Sequence, residues 1–274
     1  MSNTDFWELR RNRIITRKGG WKAGVGATSH GYSLLDELVG KVSFFQLLFL
    51  NVMGHLPEPR LAYWIECTFM CLSFPDPRIW CNQVAALGGS TRCTPTAAVA
   101  AGTMASDSTL YGPGSISACI EFMEKAKRLS DAGIPIRECL SGLRRTQRGI
   151  LAPGFSRPIS SLDERVRAME RVTAELGFEH GEYLRLAYRI DHELRQLSGD
   201  AMTVLGFMVA FWLDQGLDTE RGARLFSLCV NAGVHACYSE AADEPADGFL
   251  PMRCEDIEYV GKPPRALPGK GEHA

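Results

Sequence analysis

The sequence has no excess of charge of either sign: 30 Lys and Arg stand against 32 Asp and Glu over 274 residues, a formal net charge of −2. That balance withholds the positive field a nucleic-acid binder carries, so no nucleic-acid partner is expected. Long hydrophobic runs are missing too. The most apolar stretch, 42–53, is interrupted by Gln46 and Asn51 and is too short to span a bilayer, so no membrane partner is expected. The first residues, MSNTDFWELRRNR, are charged and lack the apolar centre of a secretory signal. The nine cysteines include no C-x-x-C pair, and Cys67 and Cys71, one helical turn apart, have no second pair to complete a zinc site. No metal is expected, and the thiols read as reduced, small core residues of a soluble, cytoplasmic chain. The P-loop, G-x-S-x-G, H-E-x-x-H and EF-hand patterns are all absent, and Gly24-Val25-Gly26 lacks the third glycine of a nucleotide loop.

What is present is helical periodicity. Hydrophobic residues make up 45% of the chain and charged residues 23%, enough apolar material for a real core. Leu34, Leu35, Leu38 and Val39 share one helical face, and Ser43 is placed to cap a helix through Phe44, Phe45, Leu47, Leu48 and Leu50. Pro57 and Pro59 separate it from a helix over 61–72. An Ala/Gly-rich stretch over 82–105 suits helices in close approach. Residues 121–129, 162–176 and 183–197 read as amphipathic helices; 204–213 and 225–237 are apolar nearly all round, so they should be buried on most sides. The proline-rich tail from Lys262 reads as an extended arm. Alternating strand patterns are nearly absent, and the fold class is all-α.

Gly/Pro-marked joints at 111–114 and 198–200 flank a more charged segment. We therefore expect a smaller domain over 115–200 inserted into a larger one made of 1–114 and 201–274, with a ligand cleft between them. Isolated histidines carry little: His192 lies on a charged face, His55 in a proline-rich turn, and His235 in a helix expected to be buried.

The order of segments is more specific than any one motif. His30-Gly31-Tyr32, then Asp36-Glu37-Leu38, Ser43-Phe44 and Gly54-His55-Leu56-Pro57 resemble the opening of the citrate synthase and citryl-CoA lyase family. Asp76-Pro77-Arg78 follows, then Leu110-Tyr111-Gly112 where the family has L-H-G-G. Pro153-Gly154-Phe155-Ser156-Arg157 resembles P-G-F-G-H, Asp163-Glu164-Arg165 resembles D-P-R, and Thr203-Val204-Leu205 falls where N-V-D belongs. Glu258-Tyr259-Val260-Gly261 resembles the closing x-Y-x-G. The resemblance covers most of the chain from about residue 30, and the short N-terminal part is more like a citryl-CoA lyase module than a full-length synthase. It implies a helical homodimer whose small domain closes over a coenzyme A thioester, the substrate of a Claisen condensation or its reverse.

The departures decide the expected chemistry. The family's base position is Leu205, its enolate-stabilising His position is Tyr111, its ketone-polarising His position is Arg157, the His after the Asp of D-H is Pro77, and one anion-binding Arg position is Val230. Tyr111 can still donate a hydrogen bond, Arg157 can bind a carboxylate but not shuttle a proton, and Asp76 is the candidate carboxylate to replace the base. Arg165 and, with a one-residue shift, Arg253 match substrate-binding arginines, with Gly112 and Gly114 allowing close backbone approach. Arg144, Arg145, Arg148, Gly154 and Phe155 form the expected CoA side. Two functions remain open: a diverged acyl-CoA-dependent enzyme that makes or breaks a C–C bond on a carboxylate substrate, without standard citrate synthesis, or an inactive paralogue that binds CoA or carboxylates, or acts as a scaffold.

Overall fold

The computed structural model describes residues 4–108, 112–147, 149–156, 162–217, 219–246 and 252–265. A four-residue helix α1 (Asp5–Glu8) precedes a small antiparallel sheet of β1 (Gly19–Lys22), β2 (Gly26–Ser29) and β3 (Tyr32–Ser33), with Gly19 opposite Ser29 and Thr28 opposite Ser33. These strands are too short to show alternation in the sequence, which is why they were not expected. The apolar residues 34–39 form only a five-residue π-type turn, Leu34–Leu38, capped by the Ser33 side chain.

Ser43 starts the first long helix, α2 (Phe44–Met53). Its side chain accepts from the Gln46 amide while the Gln46 side chain accepts from the Ser43 amide, so two otherwise orphaned donors are satisfied reciprocally. Pro59 opens α3 (Pro59–Leu72), where its missing N–H costs nothing. The Ala/Gly-rich stretch is two helices, α4 (Trp80–Ser90) and α5 (Pro95–Ala105), because Arg92 takes a left-handed conformation (φ 61°) between them. With α12 (Asn231–Asp243) they make a layer in which backbones nearly touch: a Cβ on Gly89 would lie 2.6 Å from the Tyr238 carbonyl, and one on Gly102 2.8 Å from the Cys81 carbonyl. Cys81, Ala85, Val99 and Val234 form its small core.

The second half continues with α6 (Ile116–Asp131), α7 (Ile136–Ser141) and a two-stranded hairpin of β4 (Arg145–Thr146) and β5 (Gly149–Ile150). It then runs through α8 (Glu164–Glu175), α9 (Glu182–Leu197), α10 (Val204–Asp214) and α11 (Thr219–Leu225). The expected helix over 225–237 is broken: a 3-10 turn, Phe226–Leu228, joins α11 to α12. His235 is exposed rather than buried, because it sits on the outward side of α12 with Ala236.

Helix α10 is the axis of the large core, with every residue from Gly206 to Trp212 buried. Trp64 of α3 stacks on Phe211 at 4.0 Å, and Phe178 meets the same ring edge-on at 5.1 Å. Burial of one such ring contributes about 1.5–3 kcal/mol. The Trp64 indole N–H donates to Thr173 at 2.8 Å, so its one polar group is satisfied. Residues of α6, α8 and α9 share this core with α3 and α10. Among the described residues no helix is long and apolar enough to cross a membrane, and no group of three or more metal-ligating side chains comes together.

Candidate functional site

Three separated segments converge at the N-terminus of α10. The turn that follows β5 carries Gly154, whose φ of +83° favours glycine. Its carbonyl accepts from both the amide and the hydroxyl of Thr203, each at 2.9 Å. A Cβ here would lie 2.6 Å from Cys119 Sγ and 2.9 Å from Gly206 Cα, so loop and helix are in main-chain contact. Phe155 is fully buried and meets Phe122 edge-on at 5.9 Å. This corrects its expected place on the CoA side: the ring is a core residue with no face left for a ligand.

Asp163 is the hub. Its side chain is 1% exposed and receives the Arg165 guanidinium through two hydrogen bonds of 2.7 Å. It also caps α8 by accepting from the Arg165 amide at 3.2 Å, and accepts from the Val204 amide, the first of α10, at 2.9 Å. The Arg165 Nη1 donates to the Cys71 carbonyl at 3.4 Å. Arg165 thus ties the end of α3 to the starts of α8 and α10, and most of its hydrogen-bonding fork is engaged within the protein. Leu205 follows Val204 directly and is partly buried, a hydrocarbon side chain at this junction.

Asp76 lies elsewhere, in the turn before α4. Its carboxylate takes two hydrogen bonds from the Arg78 guanidinium, at 3.0 and 2.7 Å, and one from the Arg78 amide at 2.9 Å. Those bonds hold its pKa down to about 2. A carboxylate so stabilised in its charged form is a weak base, which speaks against the expected catalytic part. Burial pushes the thiols of Cys67, Cys71 and Cys119 up, with the Arg165 charge opposing it only at Cys71, so burial disfavours the thiolate at each.

Gly112 and Gly114 approach protein backbone: a Cβ on either would lie 2.2 Å from the Ser106 carbonyl or 2.5 Å from the Ser108 carbonyl, respectively. Arg144 and Arg145 are exposed at the β4–β5 hairpin. That hairpin is anchored by Asp200, which accepts from the Ile150 amide at 3.1 Å and the Ser198 hydroxyl at 2.5 Å. Arg253 is exposed far along the C-terminal arm, its amide donating to Asp256 at 2.8 Å. Tyr111, Arg148 and Arg157 lie outside the described residues. Sequence reasoning missed Gly206 and the depth of Asp163. A glycine in the first turn of an otherwise bulky apolar helix was the available signal for Gly206.

No protein-family profile matches the chain, and no curated protein matches it. Solved structures do. Citryl-CoA lyase from Hydrogenobacter thermophilus superposes with a TM-score of 0.72 at 23% identity, covering 93% of this chain and 97% of that one. ATP citrate lyase from Methanosaeta concilii, in complex with (3S)-citryl-CoA, gives 0.72 at 17% identity, over 98% of this chain and 45% of that one. Citrate synthase from Thermotoga maritima gives 0.60 at 16% identity, over 83% of this chain and 60% of that one. This chain spans nearly the whole of the lyase but under half of the ATP citrate lyase. The predominantly helical topology and the end-to-end match to the lyase make this a chain with the citrate synthase-like fold.

Proposed function

We propose that the protein binds an acyl-CoA thioester of the citryl type and makes or breaks its carbon–carbon bond, without carrying out standard citrate synthesis. The observation that carries this reading is the end-to-end likeness to citryl-CoA lyase, combined with a hydrocarbon side chain, Leu205, at the family's base position. In the cleaving direction the substrate's hydroxyl loses its proton as the C–C bond breaks. Its electrons pass to an acetyl-CoA enolate, which is then protonated, leaving a 2-oxo acid. In this reading Tyr111 donates a hydrogen bond to the enolate oxygen, and Arg157, Arg165 and Arg253 hold carboxylates. Arg144, Arg145 and Arg148 meet the CoA phosphates; Gly112, Gly114 and Gly154 shape the backbone around the substrate. Residues 115–200 act as the small CoA-side domain. A second copy covers the outward face of α4 and α5, where Trp80, Val84, Leu87 and Met104 are exposed. Nine free cysteines suit a reducing compartment such as the cytoplasm.

One observation favours a second reading, an inactive protein that binds CoA or carboxylates. Both carboxylates considered above, Asp76 and Asp163, are engaged by an arginine two residues along the chain. Calorimetric titration with citryl-CoA, followed by assay of acetyl-CoA release, separates the two. Binding with turnover supports the enzyme, binding without turnover supports the inactive protein, and no binding overturns both. The double variant Arg144→Ala/Arg145→Ala should lose about tenfold in CoA affinity with folding unchanged, as loss of charge-assisted phosphate contacts implies.

A further inference from the structure

Residues 139–162 carry four arginines and no acidic residue, and three of the four, Arg144, Arg145 and Arg148, crowd the β4–β5 hairpin. Its strands are two residues each, and a hairpin that short does not hold its shape alone. The carboxylate that anchors it comes from another segment, Asp200 in the connection between α9 and α10. Asp200 grips the main chain: its Oδ2 accepts from the Ile150 amide at 3.1 Å and from the Ser198 hydroxyl at 2.5 Å. Gly149 permits this approach, since a Cβ there would lie 2.3 Å from the same oxygen, on a backbone whose φ of +140° favours glycine. Arg144 and Arg145 are exposed, and neither pairs with an acidic side chain among the described residues. A counter-ion on the guanidinium groups would have cancelled their charge; an anchor on the main chain leaves that charge available.

We propose that Asp200 is a positioning residue for CoA: it fixes the hairpin that carries Arg144 and Arg145 and ties that hairpin to the N-terminus of α10. The connection is itself held in place. Asp191 of α9 accepts from the Met202 amide at 2.6 Å and from Arg195 at 2.8 Å, while Ala201, Met202 and Thr203 are buried. Thr203 holds the far end of the same strand through the Gly154 carbonyl. Asp200 and Thr203 thus clamp residues 150 and 154 onto one connection, and the hairpin and the start of α10 behave as one body. Arginines on an anchored hairpin lose less freedom on meeting a phosphate than arginines on a loose one, so the anchor appears as affinity.

This rests on the CoA reading above, and the test distinguishes the two. The full chain is titrated with CoA by calorimetry as the starting protein, Asp200→Ala, Arg144→Ala/Arg145→Ala, and all three changes together. Asp200→Ala should lose about fivefold in affinity, the scale of one hydrogen-bonded anchor. The triple variant should bind within about twofold of Arg144→Ala/Arg145→Ala, because a residue that acts through the arginines has nothing left to position once they are gone. Asp200→Asn keeps a neutral acceptor for the Ile150 amide and should stay within about threefold of the starting protein. Affinity unchanged in Asp200→Ala overturns the proposal, and so does a triple variant in which the two losses multiply, the mark of a merely structural residue. Tighter binding in both Asp200→Ala and Asp200→Asn also overturns it, since the carboxylate would then only repel the phosphates. If Asp200→Ala does not fold, Ser198→Ala takes its place in the cycle: it removes one bond that orients the carboxylate and should cost about threefold, only while the arginines are present. A starting protein that does not bind CoA overturns the CoA reading itself, and full affinity in Arg144→Ala/Arg145→Ala overturns the part given to those arginines.

Discussion

Replacing Asp163 by Ala tests the junction from which the site is built. The carboxylate is 1% exposed, and its Arg165 partner has only 21% of its side chain exposed. Removal strands a largely buried guanidinium and leaves the Val204 amide without its acceptor. Breaking a buried pair by deleting one partner costs about 3–5 kcal/mol, most of it the penalty of the charge left behind. For a chain of this length each kcal/mol moves Tm by about 2–4 °C, so the variant should melt about 6–20 °C lower. Arg165→Met removes the other charge, and the double variant Asp163→Ala/Arg165→Met should be more stable than Asp163→Ala alone. Urea unfolding of the four proteins closes the cycle. A loss under about 1 kcal/mol for Asp163→Ala would place the pair in the class of exposed salt bridges. It would also free Arg165 for a ligand to a degree its hydrogen bonds do not allow. The proposal that Arg165 holds substrate thus depends on whatever donor capacity Asp163 leaves it.

Gly154→Ala should destabilise by more than about 2 kcal/mol, since the left-handed backbone and overpacking against Cys119 and Gly206 both oppose a methyl group; chemical denaturation with an unchanged midpoint would show that the loop can retreat from α10. The Asp76 carboxyl should titrate near pH 2 by NMR. Because its folded pKa is lowered, its contribution to stability is complete above the ordinary carboxylate value near 3.8 and is lost as pH falls toward 2. Asp76→Asn should therefore flatten the pH dependence of unfolding in that window, and a titration midpoint near 4 would refute the Arg78 bonding.

How much of this was legible in the sequence follows from the range of the forces involved. Local signals were read correctly. The Ser43 cap, the proline that opens α3 and the apolar girth of α10 depend on neighbours within a turn or two, and each is encoded by residue type and spacing. The order of motifs also anticipated the citrate synthase-like fold, since that order reports a chain path rather than any single contact. Where the chain breaks was less visible. Arg92 in a left-handed conformation divides α4 from α5, and a 3-10 turn divides α11 from α12, in stretches whose composition alone reads as continuous helix.

The state of the charged side chains was set by tertiary structure. By sequence, Arg165 looks like a substrate arginine and Asp76 like a spare base. In the fold each belongs to a closed pair with a residue two positions away, and at Asp163 a third segment, the start of α10, completes the arrangement. Phe155 passed in the same way from the expected CoA side to the core. Sequence spacing states which groups are available, but a buried charge must find its partners among whatever the fold brings within hydrogen-bond reach. For this chain those partners, and not the residue types alone, determine which groups remain free for a ligand.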